Sequence, residues 1–166
     1  RQRQMCIRDS AISYQQHAVT RNRTLCAMSL NYSNPTNPPD YGINAAKCEL
    51  ALANNLILAL HGTSRDSKLW PIECWVNLGK ALAKQNINLA LPWANDAEFI
   101  RANQIASALN NASVLPKLTI AQIATVIAGS KAAIGVDTGL SHLAAALNIP
   151  TLSLIHISEP TRLLSI

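Results

Sequence analysis

Short apolar runs alternate with longer amphipathic stretches through most of the chain. The runs predict buried strands at 56–60, 87–91, 113–115 and 132–136. The stretches predict helices at 72–84, 97–109, 120–128 and 140–147, and a fifth strand is expected from position 150. Pro71 suits a first helical turn, Thr119 can cap a helix and Gly129 can end one. This alternation predicts an α/β fold, a Rossmann-like parallel sheet with helices on both faces.

The region before this alternation has a different character. Residues 14–30 predict a helix with Tyr14, Ala18, Leu25 and Met28 near one face. Residues 31–42 are rich in Pro and Asn and cannot form a regular helix or a central strand. We therefore interpret 11–48 as a helix and a linker between domains, and 49–151 as the Rossmann-like domain.

The two ends resemble translated sequencing adapters. Residues 1–10 read RQRQMCIRDS and residues 152–162 read LSLIHISEPTR. We interpret 1–10 and 152–166 as adapter-derived and leave them out of the functional interpretation. The alternative is a genuine arm and a genuine last strand. The run at 152–157 is apolar enough to mimic the fifth strand.

Composition narrows the class of protein. The net charge of +5 falls to +3 without the two ends, so the basic balance gives no reason to expect a nucleic-acid partner. No apolar run approaches the ~20 residues of a membrane span, and the N-terminus lacks the apolar core of a signal peptide. Cys26, Cys48 and Cys74 have no CxxC spacing, which argues against a zinc site or a disulfide framework and fits a reducing cytosol.

The loop after the first predicted strand carries phosphate-binding chemistry. Gly62 permits close backbone approach, Thr63 and Ser64 offer hydroxyls, and Lys68 offers positive charge. The spacing is not that of a Walker A loop. A solvated turn is the alternative interpretation.

Two more loops should open on the same edge of the sheet. Glu98 follows the second strand, where a carboxylate can accept ribose hydroxyls, although an acid that serves only the helix N-terminus is the better interpretation of Glu98 alone. Asp137, Thr138 and Gly139 join the fourth strand to a helix, and His142 lies in its first turn. Such a helix N-terminus suits phosphate, and the alternatives are an Asp N-cap and a packed histidine.

Four segments together carry a specific resemblance. They are HGTSRDSKLWP, LPWANDAE, VLPKLTIAQIA and GVDTGLSHLAAAL. They resemble the carboxyl-terminal half of the ADP-heptose glycosyltransferases, the lipopolysaccharide heptosyltransferases of the GT-B fold. YQQHAVTRNR and PTNPPDYGI resemble that family's interdomain region, so the likeness runs from about Ile12 to Thr151. The loop with Lys68 is most similar to the heptosyltransferase I branch.

The resemblance implies a role for each matching residue. Thr63, Ser64 and Lys68 would contact the diphosphate of ADP-heptose, and Glu98 would hold the ribose. The backbone near Leu118 would meet the adenine. The diphosphate–heptose end would be held by Asp137, Thr138, Gly139 and His142. Ser64 stands where many members have Thr, which keeps the hydroxyl.

The resemblance also implies which parts of the reaction the matching residues do not carry out. The family transfers heptose to Kdo of the lipid A inner core with inversion, without a metal or cofactor, at the cytosolic face of the inner membrane. Its general base is an Asp of the amino-terminal domain, so we expect the present residues to bind donor at most. Another sugar transferase of the family, such as a heptosyltransferase II-like enzyme, and a non-catalytic nucleotide-sugar-binding half-domain stay open as alternatives.

Overall fold

The described part of the chain falls into two compact units. The structure is a computed structural model and describes residues 12–13, 15–45 and 54–154. Of the described residues, 12–13 and 15–40 belong to one unit, and 41–45 and 54–154 belong to the other. Within the described ranges, no helix has the length and apolar character needed to cross a membrane.

The first unit contains helix α1, Ala18–Leu30. The predicted start at position 14 is wrong, because His17 caps the helix by accepting a hydrogen bond from the Val19 amide. Tyr14 lies outside the described residues. The expected apolar face is not a buried one, since Leu25 and Met28 are exposed and only Ala27 is buried.

The segment after α1 forms neither helix nor strand, as predicted. The Arg23 guanidinium donates a hydrogen bond to the Asn37 carbonyl at 2.5 Å. The Asn34 amide donates to the Thr24 hydroxyl at 2.9 Å. These two contacts hold the first part of the linker to α1.

The second unit is an α/β domain with a parallel sheet. Its elements are β1 (Leu56–Leu60), a 3₁₀ turn (Asp66–Lys68), α2 (Ile72–Ala83), β2 (Asn88–Leu91), α3 (Asp96–Ser107), β3 (Ala112–Val114), α4 (Ile120–Ala128), β4 (Ala132–Gly135), α5 (Gly139–Ala146) and β5 (Thr151–Ser153). The strand order in the described sheet is β3-β2-β1-β4-β5, and every pairing is parallel. The Rossmann-like prediction is confirmed.

Side chains on the two faces of β1 enter two separate cores. Leu56, Leu58 and Leu60 pack with the buried residues of α4 and α5. Ile57 and Ala59 pack with the buried residues of α2 and α3, including Trp75. Because neighbouring strand residues point to opposite faces, the continuous apolar run of β1 shows that helices cover both faces of the sheet.

The predicted element bounds agree with the structure to within one or two residues in this unit. Thr119 and Gln122 form a capping box at the start of α4, and Gly129 follows its end. β4 ends at Gly135, one residue earlier than predicted. A Cβ at Gly135 would lie 2.6 Å from the Ser141 hydroxyl and 2.7 Å from Leu60 Cβ, so only glycine lets β4 and α5 approach this closely.

The edge strand β5 contains residues that we interpret as adapter-derived. Leu152 pairs with Ile134 and Ser153 pairs with Gly135. The expectation that position 152 onward can extend the sheet is therefore confirmed for these two residues. Residues 155–166 lie outside the described part of the chain.

Candidate functional site

The loops that follow β1, β2, β3 and β4 open on one edge of the sheet. All four strands run in the same direction, so their carboxyl ends meet there, and ligands of open α/β sheets bind outside those ends. The strand order arranges the loops in a line. The β4 loop comes first, followed by the β1, β2 and β3 loops.

Two contacts join the β4 loop to the β1 loop. The Lys68 ammonium forms an ion pair with the Asp137 carboxylate. The Thr63 hydroxyl donates a hydrogen bond to the Asp137 carbonyl at 3.1 Å. Lys68 and Asp137 are both partly exposed, at 39% and 32% of their side-chain surface, so the pair is open to a ligand. The predicted neighbours Thr63, Lys68 and Asp137 thus lie together.

α5 begins two residues after Asp137, and its start is accessible to solvent. Thr138 takes the N-cap position, and its hydroxyl makes no capping hydrogen bond. Gly139 and His142 are exposed. Both alternative interpretations of this segment are therefore wrong, because Asp137 is not the N-cap and His142 is not packed in the core.

Glu98 serves the N-terminus of α3 in this structure. Its carboxylate accepts a hydrogen bond from the Ala94 amide at 2.7 Å, and its amide donates to the Asn95 side chain at 2.9 Å. This is the helix-terminal role that the sequence favoured for Glu98 alone. The second carboxylate oxygen faces the β1 loop, since a Cβ at Gly62 would lie 2.6 Å from Glu98 Oε1.

The two remaining predicted residues are Ser64, on the β1 loop, and Leu118, on the β3 loop. Ser64 is exposed on the β1 loop. Leu118 is half-buried, and its side chain packs against the core that contains α4 and α5. The contact of its backbone with adenine, which the resemblance implies, stays a prediction.

Sequence reasoning assigned no role to Trp93, which links the β2 and β3 loops. Its indole N–H donates to the Leu115 carbonyl at 2.7 Å. Its ring lies 4.6 Å from that of Phe99, and the Lys117 ammonium lies 5.5 Å from its centroid. An aromatic residue directly after a buried strand was the available signal.

Sequence reasoning also missed His61, which directly follows β1, and Arg101, which lies on α3. His61 is fully buried, and burial together with the charge of Arg101 lowers its pKa to about 4, against an opposing effect of Glu98. Neither ring nitrogen of His61 has a hydrogen-bond partner of normal geometry among the described residues. The nearby Pro92 backbone acts against the lowering of the His61 pKa. A histidine at the end of an apolar strand was the signal for this buried base.

Arg101 connects two parts of the site. Its guanidinium donates a hydrogen bond to the Trp70 carbonyl. Its Nε is buried and has no partner among the described residues. Burial lowers the pKa of this guanidinium, and the charge of Glu73 opposes that effect.

The described ranges offer no metal site and no disulfide. No three His, Cys, Asp or Glu side chains come close enough there to hold a metal ion. Cys26 and Cys74 are free thiols, and Cys48 lies outside those ranges.

Known proteins are similar in sequence to most of this chain. Lipopolysaccharide heptosyltransferase 1 of Pseudomonas aeruginosa is 42% identical over 152 residues, which cover 90% of this chain and 42% of the relative. The Escherichia coli K12 protein of the same name is also 42% identical and is covered to 47%. The chain therefore spans less than half the length of these relatives.

Solved structures show the same fold. The structure titled E. coli heptosyltransferase WaaC with ADP has a TM-score of 0.79 and 39% identity, over 91% of this chain and 49% of that one. The same protein with ADP-2-deoxy-2-fluoro heptose also has a TM-score of 0.79. The model of glycosyltransferase family 9 (heptosyltransferase) matches residues 3–165. The chain therefore belongs to glycosyltransferase family 9, the heptosyltransferase family.

Proposed function

We propose that the carboxyl edge of this sheet binds ADP-heptose, the donor in a heptosyl transfer. The observation that carries this proposal is the linear order of the four loops, β4, β1, β2 and β3. A nucleotide sugar has the same linear order of sugar, diphosphate, ribose and base. Neighbouring strands lie about 4.8 Å apart, so three spacings give roughly 14 Å, enough for an extended nucleotide diphosphate.

The diphosphate lies between the β1 and β4 loops in this proposal. Lys68 donates to the phosphate oxygens, with Thr63 and Ser64 as hydroxyl donors. Thr138 and Gly139 present backbone N–H groups at the positive end of the α5 dipole. In the free protein Lys68 is paired with Asp137, so donor binding exchanges a carboxylate partner for phosphate. The released Asp137 carboxylate then accepts heptose hydroxyls beside His142.

The nucleoside occupies the β2 and β3 loops in this proposal. Glu98 Oε2 is engaged by the Ala94 amide, which leaves Oε1 to accept a ribose hydroxyl. The backbone at Leu118 meets the adenine, on the loop that Trp93 holds in place. The two WaaC structures, which contain ADP and an ADP-heptose analogue, support a donor of this class.

The chemical role of the proposed donor site is to stabilise the departing diphosphate. Negative charge grows on the ADP oxygens as the glycosidic bond breaks, and preorganised donors such as Lys68 and the α5 amides are most effective there. The acceptor, Kdo of lipid A, and the general base belong in this proposal to the remainder of a full-length enzyme at the cytosolic face of the inner membrane. We therefore propose donor binding without transfer for these 166 residues.

The proposal predicts saturable binding of ADP to the 166-residue chain. Isothermal titration with ADP and with UDP measures it, and UDP should bind more weakly because the β3 loop is matched to adenine. A parallel assay with ADP-heptose and Kdo-lipid A should give no heptosylated product. Lack of ADP binding would contradict the donor site, and product formation would contradict the assignment of the base to another part of the enzyme.

A second prediction concerns the contact between Gly62 and Glu98. Gly62→Ala places a methyl group 2.6 Å from Glu98 Oε1, so the carboxylate has to turn away. We expect ADP affinity to fall by about 1 kcal/mol, the usual contribution of one hydrogen bond. The affinity for 2′,3′-dideoxy-ADP, which has no ribose hydroxyls to lose, should stay the same.

Glu98→Gln serves as the comparison for Gly62→Ala, since it weakens the same acceptor without changing the loop backbone. Both variants should bind pyrophosphate as the wild type does. Equal losses for ADP and its dideoxy analogue would show that Gly62→Ala disturbs the whole loop, and the ribose role of Glu98 would then lose its support.

A further inference from the structure

Arg101 joins α3, which carries Glu98, to the end of the β1 loop, which carries Lys68. It lies on α3, one turn beyond Glu98, and its guanidinium donates to the Trp70 carbonyl. Trp70 comes two residues after Lys68 and directly before Pro71, the N-cap of α2. One side chain therefore links the helix that carries Glu98 to the end of the loop that carries Lys68.

The surroundings of Arg101 restrict its movement. Its guanidinium donates to the Trp70 carbonyl, so a side chain that swung away would lose this hydrogen bond and leave the carbonyl without its donor. His61 is buried nearby as a neutral base at physiological pH, because burial and the charge of Arg101 keep its pKa low. His61 therefore adds no second positive charge that would repel Arg101.

A second contact between the β1 loop and α3 lies closer to the site. The backbone at Gly62 is packed against the Glu98 carboxylate, with only a hydrogen atom of Gly62 between them. The β1 loop and α3 are thus held together at two points, at Gly62 with Glu98 and at Trp70 with Arg101. Two separated contacts fix both the distance and the angle between Lys68 and Glu98.

We propose that Arg101 is a positioning residue that sets the spacing between the Lys68 loop and Glu98. The inference rests on the proposed function, since it concerns a ligand with a diphosphate at one loop and a ribose at the other. A ligand that reaches both loops gains the full affinity of each only when their spacing is fixed beforehand. A ligand that reaches one loop gains nothing from that spacing.

The test compares ligands that reach one loop or both. Arg101→Met keeps an unbranched side chain and removes the donor. Lys80→Met, on the exposed face of α2, is the matched loss of one positive charge. Each variant of the 166-residue chain is titrated with ADP, with pyrophosphate and with adenosine, and binding is followed by NMR amide shifts. We expect Arg101→Met to bind ADP about tenfold more weakly and the two smaller ligands within twofold of wild type.

The outcomes separate positioning from stability. Unchanged ADP affinity in Arg101→Met would overturn the proposal, and so would a similar loss for all three ligands, which indicates general loosening. If the methionine variant does not fold, Arg101→Lys provides the same comparison, since it keeps the charge but lacks the planar fork. If the wild type itself does not bind ADP, the donor site fails, which is a separate result from equal ADP binding by wild type and variant.

Discussion

Lys68→Met is expected to weaken ADP binding by 1.5–3 kcal/mol, or roughly ten- to 150-fold. The variant loses a charge-assisted contact to the diphosphate, and it also leaves the Asp137 carboxylate unpaired in the same place. An unpaired carboxylate repels a diphosphate, so the loss should exceed that of one neutral hydrogen bond. Titration calorimetry at two salt concentrations measures the effect, and the difference should shrink as salt screens the charges.

Two further variants separate the contributions to this loss. Lys131→Met removes the same charge directly before β4, at the amino ends of the strands and away from the proposed site. It should bind ADP as the wild type does. Lys68→Met combined with Asp137→Asn removes the repelling carboxylate and should recover part of the affinity. If Lys68→Met and Lys131→Met bind ADP equally well, Lys68 does not contact the diphosphate.

The fold was largely predictable because its strands are buried on both faces. Such strands are continuous apolar runs in the sequence, and β1 was predicted with its observed bounds, Leu56–Leu60. The capped helix α4 was also predicted with its observed bounds, since Thr119 and Gly129 mark its ends. α1 was predicted less well, because it has no buried stripe and begins at an unusual cap, His17.

The candidate site was predictable as a set of loops and not as a set of contacts. A parallel sheet brings the ends of β1 and β4 together, which is why Lys68 and Asp137 could be expected at one edge. Their direct pairing depends on side-chain geometry, which cannot be predicted from the positions of the two residues along the chain. The same holds for Arg101, whose partner Trp70 lies on another helix–loop junction.

His61 should make the stability of the folded chain depend on pH. In the unfolded chain its imidazole takes up a proton near the ordinary pKa of 6.5, whereas burial and the charge of Arg101 lower the pKa to about 4 in the folded chain. Between these values the unfolded state holds the extra proton, so the free energy of unfolding falls as the pH falls. The contribution of His61 is fully present above about pH 7 and is lost by about pH 4.

The size of this effect follows from the difference between the two pKa values. Each pKa unit corresponds to about 1.4 kcal/mol, so the loss between pH 7 and pH 4 amounts to at most about 3 kcal/mol. Urea unfolding at several pH values measures it, and His61→Gln, which cannot take up a proton, should show a flatter profile. His142→Gln, which removes an exposed histidine in the same way, is the matched substitution for comparison. Equal slopes for wild type and His61→Gln would mean that His61 is protonated as readily in the folded chain as in the unfolded one, and a ring-proton NMR titration of His61 would then give a midpoint near 6.5 instead of about 4.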